Sequence, residues 1–319
     1  MKERDEETFV RELLEGAGKR PVAPAEPIAE IVAATRQVWQ KRYGRRRQLR
    51  RAAWLLPIAA TLIAGFVIFW WSARPKPLSL PPLVAAVVRV TGAVPSSLVA
   101  GQRLRAGASV EVPIGGAVAL RLSGGQSLRV HGSTRINLTS ATLATLDFGS
   151  VYLDCPVPSD DVAIRTVAGD FRPVGTQFEV RAERGGTTEL RVREGMVTLM
   201  RPGQQLTARA GQELIVNRDG SVRRGEVTPY ADTWSWAEET APMPEIEGRA
   251  LRSFLEWVVR EKGWALRFAD DRAASLSTTV VLHGSVADLT PDQALQTIAV
   301  SSGFTYRVSD GTLTVAVPQ

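Results

Sequence analysis

The sequence predicts a single-pass membrane protein: a short α-helical arm, one transmembrane helix, an all-β domain built as a sandwich or a solenoid-like stack, and a small α+β module at the C-terminus. Three observations predict it. Residues 52–71 read AAWLLPIAATLIAGFVIFWW without a single charge, and a helix of that length rises roughly 30 Å, the thickness of a bilayer's hydrocarbon core. From residue 84 to 227, short alternating runs broken by glycine pairs replace helical periodicity. Beyond residue 244 helical spacing returns, interleaved with short strands.

The arm comprises residues 1–51. Asp5 can cap a first helix, with Glu6 and Glu7 at its positive end and Phe9, Leu13 and Leu14 as an apolar stripe. After a proline-rich break, Pro27 suits the first turn of a second helix. There Ile28, Ile31, Val32, Thr35, Val38 and Trp39 fall on one face. A segment of about forty residues buries little surface by itself. The two stripes therefore point to docking on a partner, set against the plainer reading of a weakly ordered tail.

The run at 52–71 has no polar face, unlike a buried soluble helix. Pro57 lies in its first turns, where a membrane span tolerates it, and Trp54, Trp70 and Trp71 mark its ends. A signal peptide fits less well, because the preceding polar segment is long and no small-x-small site follows. Arg45, Arg46, Arg47, Arg50 and Arg51 stand immediately before the span. The positive-inside rule then places the N-terminus in the cytoplasm and the remainder across the membrane. The arm holds 13 Lys/Arg against 8 Asp/Glu and the rest of the chain 26 against 25, so +5 of the net charge of +6 belongs to the arm. Beside a span, that basic run reads as a topology determinant touching anionic lipid, with no direct nucleic-acid contact. Cys155 is the sole cysteine, so no intramolecular disulfide can form and packing must hold the exported part. A bacterial inner-membrane protein with a periplasmic C-terminus fits these features. In that setting the Asn137-Leu-Thr glycosylation pattern carries little weight.

Residues 72–83 form a proline-rich spacer. Residues 84–227 form the all-β domain, with turns at glycine pairs such as 115–116, 124–125 and 185–186. Residues 228–244 read as a linker. In residues 245–319, Leu251, Phe254, Leu255, Val258 and Val259 describe a helix ending near Gly263, and residues 264–268 and 279–282 read as strands. Thr290 caps a second helix, and residues 304–317 close as a hairpin.

The most specific stretch is VGTQFEVR at 174–181, followed by LRVREGMVTL at 190–199 and AGQ at 210–212. Alternation places Thr176, Phe178 and Val180 inward and Gln177, Glu179 and Arg181 outward, as with Glu189, Arg191 and Arg193. Gly175 and Gly195 supply conformations that side chains hinder, and Glu194 belongs to the same motif. Read physically, this is a hairpin with an apolar inside and a charge-laddered outside. Together with LRLSGGQSL at 120–128 and DFGSVY at 147–152, it resembles the FecR domain, the periplasmic core of the FecR family of transmembrane sigma-factor regulators. The C-terminal module resembles the STN fold (secretin and TonB N-terminus) through Leu251, Phe254, Leu255, Gly263, Thr290, Ala294, Leu295, Gly303, Phe304 and Tyr306.

The resemblance implies an inner-membrane signal transducer. Its exported part would receive the signalling domain of a TonB-dependent outer-membrane transporter loaded with an iron chelate. Its arm would regulate an extracytoplasmic-function sigma factor through Phe9, Leu13, Leu14, Ile28, Ile31, Val32, Val38 and Trp39. This arm is shorter than family arms and has one tryptophan. The alternative is an envelope-binding or scaffolding protein anchored by one span, without a sigma-factor partner.

Nothing in the sequence points to catalysis, a cofactor or a metal. His131 and His283 fall on different modules, and Asp160–Asp161 and Asp270–Asp271 read as solvated turns. Cys155 has no nearby histidine in the sequence. Trp234 and Trp236 either cover the end of the β domain or stack on a sugar.

Overall fold

The computed structural model describes residues 11–12, 14–16, 33, 35–36, 80–155 and 162–318. The chain divides into two compact units, Met1–Ser79 and Leu80–Gln319. In the first, the described residues are helical and Leu14 is exposed. The run at 52–71, the arginines at 45, 46, 47, 50 and 51, and Phe9, Leu13, Ile28, Ile31, Val32, Val38 and Trp39 lie outside the described residues. Among the described residues no helix is long and apolar enough to cross a membrane.

In the second unit, thirteen strands among the described residues pair into one sheet. They are β1 (Leu83–Gly92), β2 (Arg103–Arg105), β3 (Ala108–Val112), β4 (Gly116–Leu122), β5 (Ser127–Val130), β6 (Thr134–Ser140), β7 (Leu143–Asp154), β8 (Ala163–Thr166), β9 (Gly169–Ala182), β10 (Thr188–Arg201), β11 (Gln204–Arg209), β12 (Gln212–Val216) and β13 (Val222–Glu226). Three strands are too long for one layer. The first half of β7 pairs with β6 and β8, and its second half pairs with β5 and the second half of β9. Likewise β10 pairs with β12 through its first residues and with β11 through its last. The sheet thus folds over on itself, and both layers line one apolar core that includes Leu120, Leu128, Ile136, Leu146, Phe171, Phe178, Val192 and Leu199. Phe178 and Val180 are inward, as alternation demands.

Glycines make the corners. Gly149, where β7 leaves β6 for β9, has φ +100, and a Cβ there would lie 2.5 Å from the Cα of Thr134. Gly195 has φ +78, and a Cβ would lie 2.3 Å from the carbonyl oxygen of Gly175 on the neighbouring strand. The β9–β10 register shifts on both sides of Glu194 at this point. The Thr176 hydroxyl bridges the bend, donating to the Met196 carbonyl at 2.9 Å and accepting from the Val174 amide at 3.0 Å.

Residues 228–244, read from sequence as a linker, are an ordered connector. A single 3-10 turn (Asp232–Trp234) leads into α1 (Ser235–Glu239). The terminal module follows with β14 (Arg249–Ala250), α2 (Leu251–Lys262), β15 (Ala265–Phe268), α3 (Asp271–Thr279), β16 (Val281–Leu282), α4 (Pro291–Ser302), β17 (Thr305–Ser309) and β18 (Thr312–Ala316). Strand β15 runs parallel to β18, β17 closes a hairpin on its other side, and Leu255, Val258, Leu295, Ile298 and Leu313 share a second core. Helix α3 begins where Asp270–Asp271 read as a solvated turn, and the strand read at 279–282 shortens to β16. Asp270 accepts from the Ala273 amide at 2.8 Å and so caps this helix, satisfying one of its orphan donors.

The start of α4 is held by a capping box: the Thr290 hydroxyl accepts from the Gln293 amide at 3.3 Å, and the Gln293 side chain accepts from the Thr290 amide at 2.9 Å. Thr290→Ala is expected to cost about 1 kcal/mol, read as a lower melting temperature of the full chain. An unchanged melt would show the cap to be idle.

Candidate functional site: the charged face between the sheet and the terminal module

On the outer side of the second layer, β5 presents Arg129, β7 presents Tyr152 and Asp154, β9 presents Gln177 and Glu179, and β10 presents Arg191 and Arg193. The sequence pattern places Gln177, Glu179, Arg191 and Arg193 of this face on a charge-laddered outside. The structure corrects that reading: the ladder faces outward yet is largely covered, with Arg129 at 0 %, Arg193 at 2 % and Glu179 at 4 % exposure. The connector and the end of α2 lie on it. Alternation reports which side of a strand a residue takes, and cannot report what packs there.

Each buried guanidinium is matched by several acceptors. Arg129 donates to the Ala237 carbonyl at 2.7 Å and to Glu261 at 2.8 Å, and lies over the Tyr152 ring at 4.9 Å. Arg193 donates to the carbonyls of Pro229 at 2.6 Å and Glu261 at 2.7 Å and to the Glu238 carboxylate at 2.6 Å. From the other side, Arg260 of α2 reaches Asp154 at 2.5 Å and Glu194 at 2.7 Å. Lys262 links Glu238 at 2.6 Å to Asp292 at 2.8 Å. At the edge of the sheet, Arg89 donates to the Ala241 carbonyl at 3.2 Å and the Leu289 carbonyl at 3.0 Å.

Electrostatics follow the geometry. Burial works against the charge on Arg129, but Glu261, then Tyr152 and Asp154, raise its pKa above the usual arginine value. Burial pushes the Tyr152 hydroxyl up strongly, so it stays protonated. Trp234 is fully buried edge-on to Tyr152, 6.0 Å between centroids, with its indole N–H donating to the Thr228 carbonyl at 2.9 Å. It therefore covers the sheet and is closed to a sugar.

Backbone contact is equally close. Gly263 ends α2 in the left-handed conformation (φ +65), and a Cβ there would lie 2.1 Å from the Pro229 carbonyl oxygen. The C-terminal glycine signal in the sequence thus serves a helix cap and a contact with the connector together.

Of the motif residues, Gly175, Thr176 and Gly195 form the corner, Phe178 and Val180 enter the core, and Glu194 reaches the terminal module through Arg260. Arg129, Glu238 and Glu261 escape sequence reasoning, because each is an ordinary surface residue by pattern. Even SLRV of β5 alternates Ser127 and Arg129 with Leu128 and Val130, the pattern of an ordinary half-exposed strand.

His131 lies tilted against Trp236, centroids 4.7 Å apart, while His283 pairs with Glu247 at 2.8 Å. Burial pushes the Cys155 thiol up to about 12, which leaves it a thiol at neutral pH. Among the described residues no group of three or more His, Cys, Asp or Glu is placed to hold a metal. Asp160 and Asp161 lie outside the described residues. What this face does chemically is adhere: it fixes one module on another by paired charges.

No protein-family model and no curated protein matches the chain. It is similar to two crystal structures, at 2.50 Å and 1.65 Å, of a putative anti-sigma factor from Parabacteroides distasonis ATCC 8503. Each is 17% identical with a TM-score of 0.37, covering 66% of this chain and 99% and 100% of the respective crystallised chains.

Proposed function

We propose that this chain is an inner-membrane signal transducer of the FecR type. In this reading residues 52–71 cross the bilayer once, the arm at 1–51 regulates an extracytoplasmic-function sigma factor, and the unit from Leu80 onward is periplasmic and receives the signal. The observation that carries the reading is the buried charged face. A receiver made of two modules can pass on a binding event only if they are mechanically coupled. Hydrogen-bonded ion pairs admit one relative arrangement, whereas a greasy contact would tolerate several.

The receiving element best suited to a partner is β17. Among the described residues it pairs only with β18, all five of its residues are exposed, and Tyr306 and Val308 stand half-open beside the second core. An incoming strand would extend that sheet and cover both side chains. A transporter's signalling domain is the partner proposed, with an iron chelate as the original stimulus.

The test is a two-hybrid screen of residues 1–51 against the cell's extracytoplasmic-function sigma factors, paired with transcription profiling after deletion of the arm. The expected result is one sigma factor bound and its regulon altered. Absence of both leaves an anchored envelope scaffold as the better reading.

A further inference from the structure

Four hairpin tips meet at one end of the β domain, and between them lies a concavity of about 280 Å³. The β8–β9 tip contributes Val167 and Ala168, the β9–β10 tip Gly186, the end of β10 Arg201, and the β12–β13 tip Arg218. Among the described residues no carboxylate lines it. The acids around it are engaged elsewhere. Asp219, next to Arg218 in the chain, accepts from the Ser221 amide at 2.9 Å and hydroxyl at 2.7 Å. Asp170, in the wider concavity on the other side of Val167, accepts from Arg165 through both oxygens, at 2.7 and 2.8 Å. Glu183 of the β9–β10 tip is accompanied by Arg184, and neither lines the concavity.

Arg201 is set apart by its partners. Of the buried and half-buried arginines among the described residues, Arg129, Arg191, Arg193, Arg252 and Arg260 each reach a carboxylate. Arg89 spreads over three backbone carbonyls. Arg201, half-buried as well, makes one hydrogen bond, to the Gly220 carbonyl at 3.2 Å. A guanidinium withdrawn from water normally meets an anion, and here the protein supplies none.

The walls add a second observation. A two-residue hairpin tip calls for Gly, Asn or Asp, yet the chain turns from β8 to β9 through Val167 and Ala168, and Val167 is 78 % exposed. Turn geometry gives no reason for an apolar side chain there. On the opposite side the stem of Arg218 lies across Gly186, where a Cβ would stand 3.3 Å from the Arg218 Cγ.

We propose that this concavity binds a phosphate monoester, with the guanidinium groups of Arg201 and Arg218 on the phosphate and with Val167 and Val216 against the carbon skeleton that carries it. A guanidinium offers parallel N–H donors that match phosphate oxygens. Two of them without a carboxylate balance the charge of a monoester, about −1.5 to −2 at neutral pH, whereas a carboxylate ligand would neutralise only one. The volume lies just below the roughly 300–1,000 Å³ of small-molecule pockets, which suits a single phosphorylated head group. A soluble sugar phosphate and a lipid head group present the same monoester. The site belongs to the β domain alone and holds whatever the arm binds.

The experiment is phenylglyoxal modification of the full chain with phosphatidylcholine vesicles in phosphate-free buffer, the rate at each arginine being read by peptide mass spectrometry. Glucose 1-phosphate at millimolar concentration is expected to slow modification of Arg201 and Arg218 about tenfold. Arg209, exposed at the far end of β11, is expected to react at an unchanged rate. In a second arm, phosphatidic acid replaces part of the phosphatidylcholine. Protection in that arm shows that the monoester can be lipid-borne, and protection by glucose 1-phosphate alone shows that it is soluble. Arg201→Gln is expected to abolish the protection of Arg218, because the phosphate needs both groups. Should Arg201→Gln fail to fold, Arg218→Gln, at an exposed position, is expected to abolish the protection of Arg201. No protection in either arm, equal protection of Arg209, or protection of one arginine that survives loss of the other overturns the proposal.

Discussion

Glu261→Ala is expected to destabilise the protein by about 3–5 kcal/mol, because it strands the buried Arg129 guanidinium. Arg129 is 0 % exposed, and after the change only the Ala237 carbonyl would remain of its hydrogen-bonded acceptors. The backbone carbonyl of residue 261 still serves Arg193, so the loss belongs to the carboxylate itself. Urea unfolding of the full chain reads the cost as a lower midpoint. Limited proteolysis within 228–244 reads it as release of the connector. Replacing both partners, Arg129→Met with Glu261→Leu, is expected to recover much of the loss, since no lone charge then stays buried. A single variant that unfolds at the wild-type midpoint would mean that the inter-module face is held by something else.

Gly195→Ala carries the second large effect, and it acts on the corner of the sheet. The left-handed backbone costs a side chain about 1–2 kcal/mol, and forcing a methyl against packed neighbours costs about 1–3 kcal/mol more. The atom met is the Gly175 carbonyl oxygen at 2.3 Å, on a strand that is itself bent there, so the neighbour has little room to retreat. Gly203 offers the comparison. Its φ is +70, but nothing lies within 4 Å of its built Cβ. Gly203→Ala should therefore show the backbone cost alone. Equal denaturation midpoints for the two variants would show that the close approach at the corner is unimportant.

Legibility differed between levels of structure. Strand alternation told the inward from the outward residues around 174–199, because a pleated chain has only two sides. The helix at 251–262 was legible from its apolar spacing and from Gly263 at its end. Helix α3 was not, since its signal is one capping aspartate and a run of small residues with little apolar periodicity. The connector was also missed: its three prolines and lack of periodicity read as a linker, whereas a single buried tryptophan and a five-residue helix anchor it. The charged face was invisible in sequence for a different reason. Arg129, Glu238 and Glu261 are far apart in the chain, and only folding places them within hydrogen-bond reach of one another or of Arg193.

By itself, then, the sequence determined which segments fold as strand and as helix in the motif and the module cores, and where glycine must stand, since those follow from local sterics and periodicity. It also set the strongly basic, apolar-striped character of the arm and the uncharged run at 52–71. Only the tertiary structure decided that the outward ladder of β9 and β10 is an internal face. A side chain's direction is a property of its own strand, but its burial depends on a helix folded from residues about seventy positions further on.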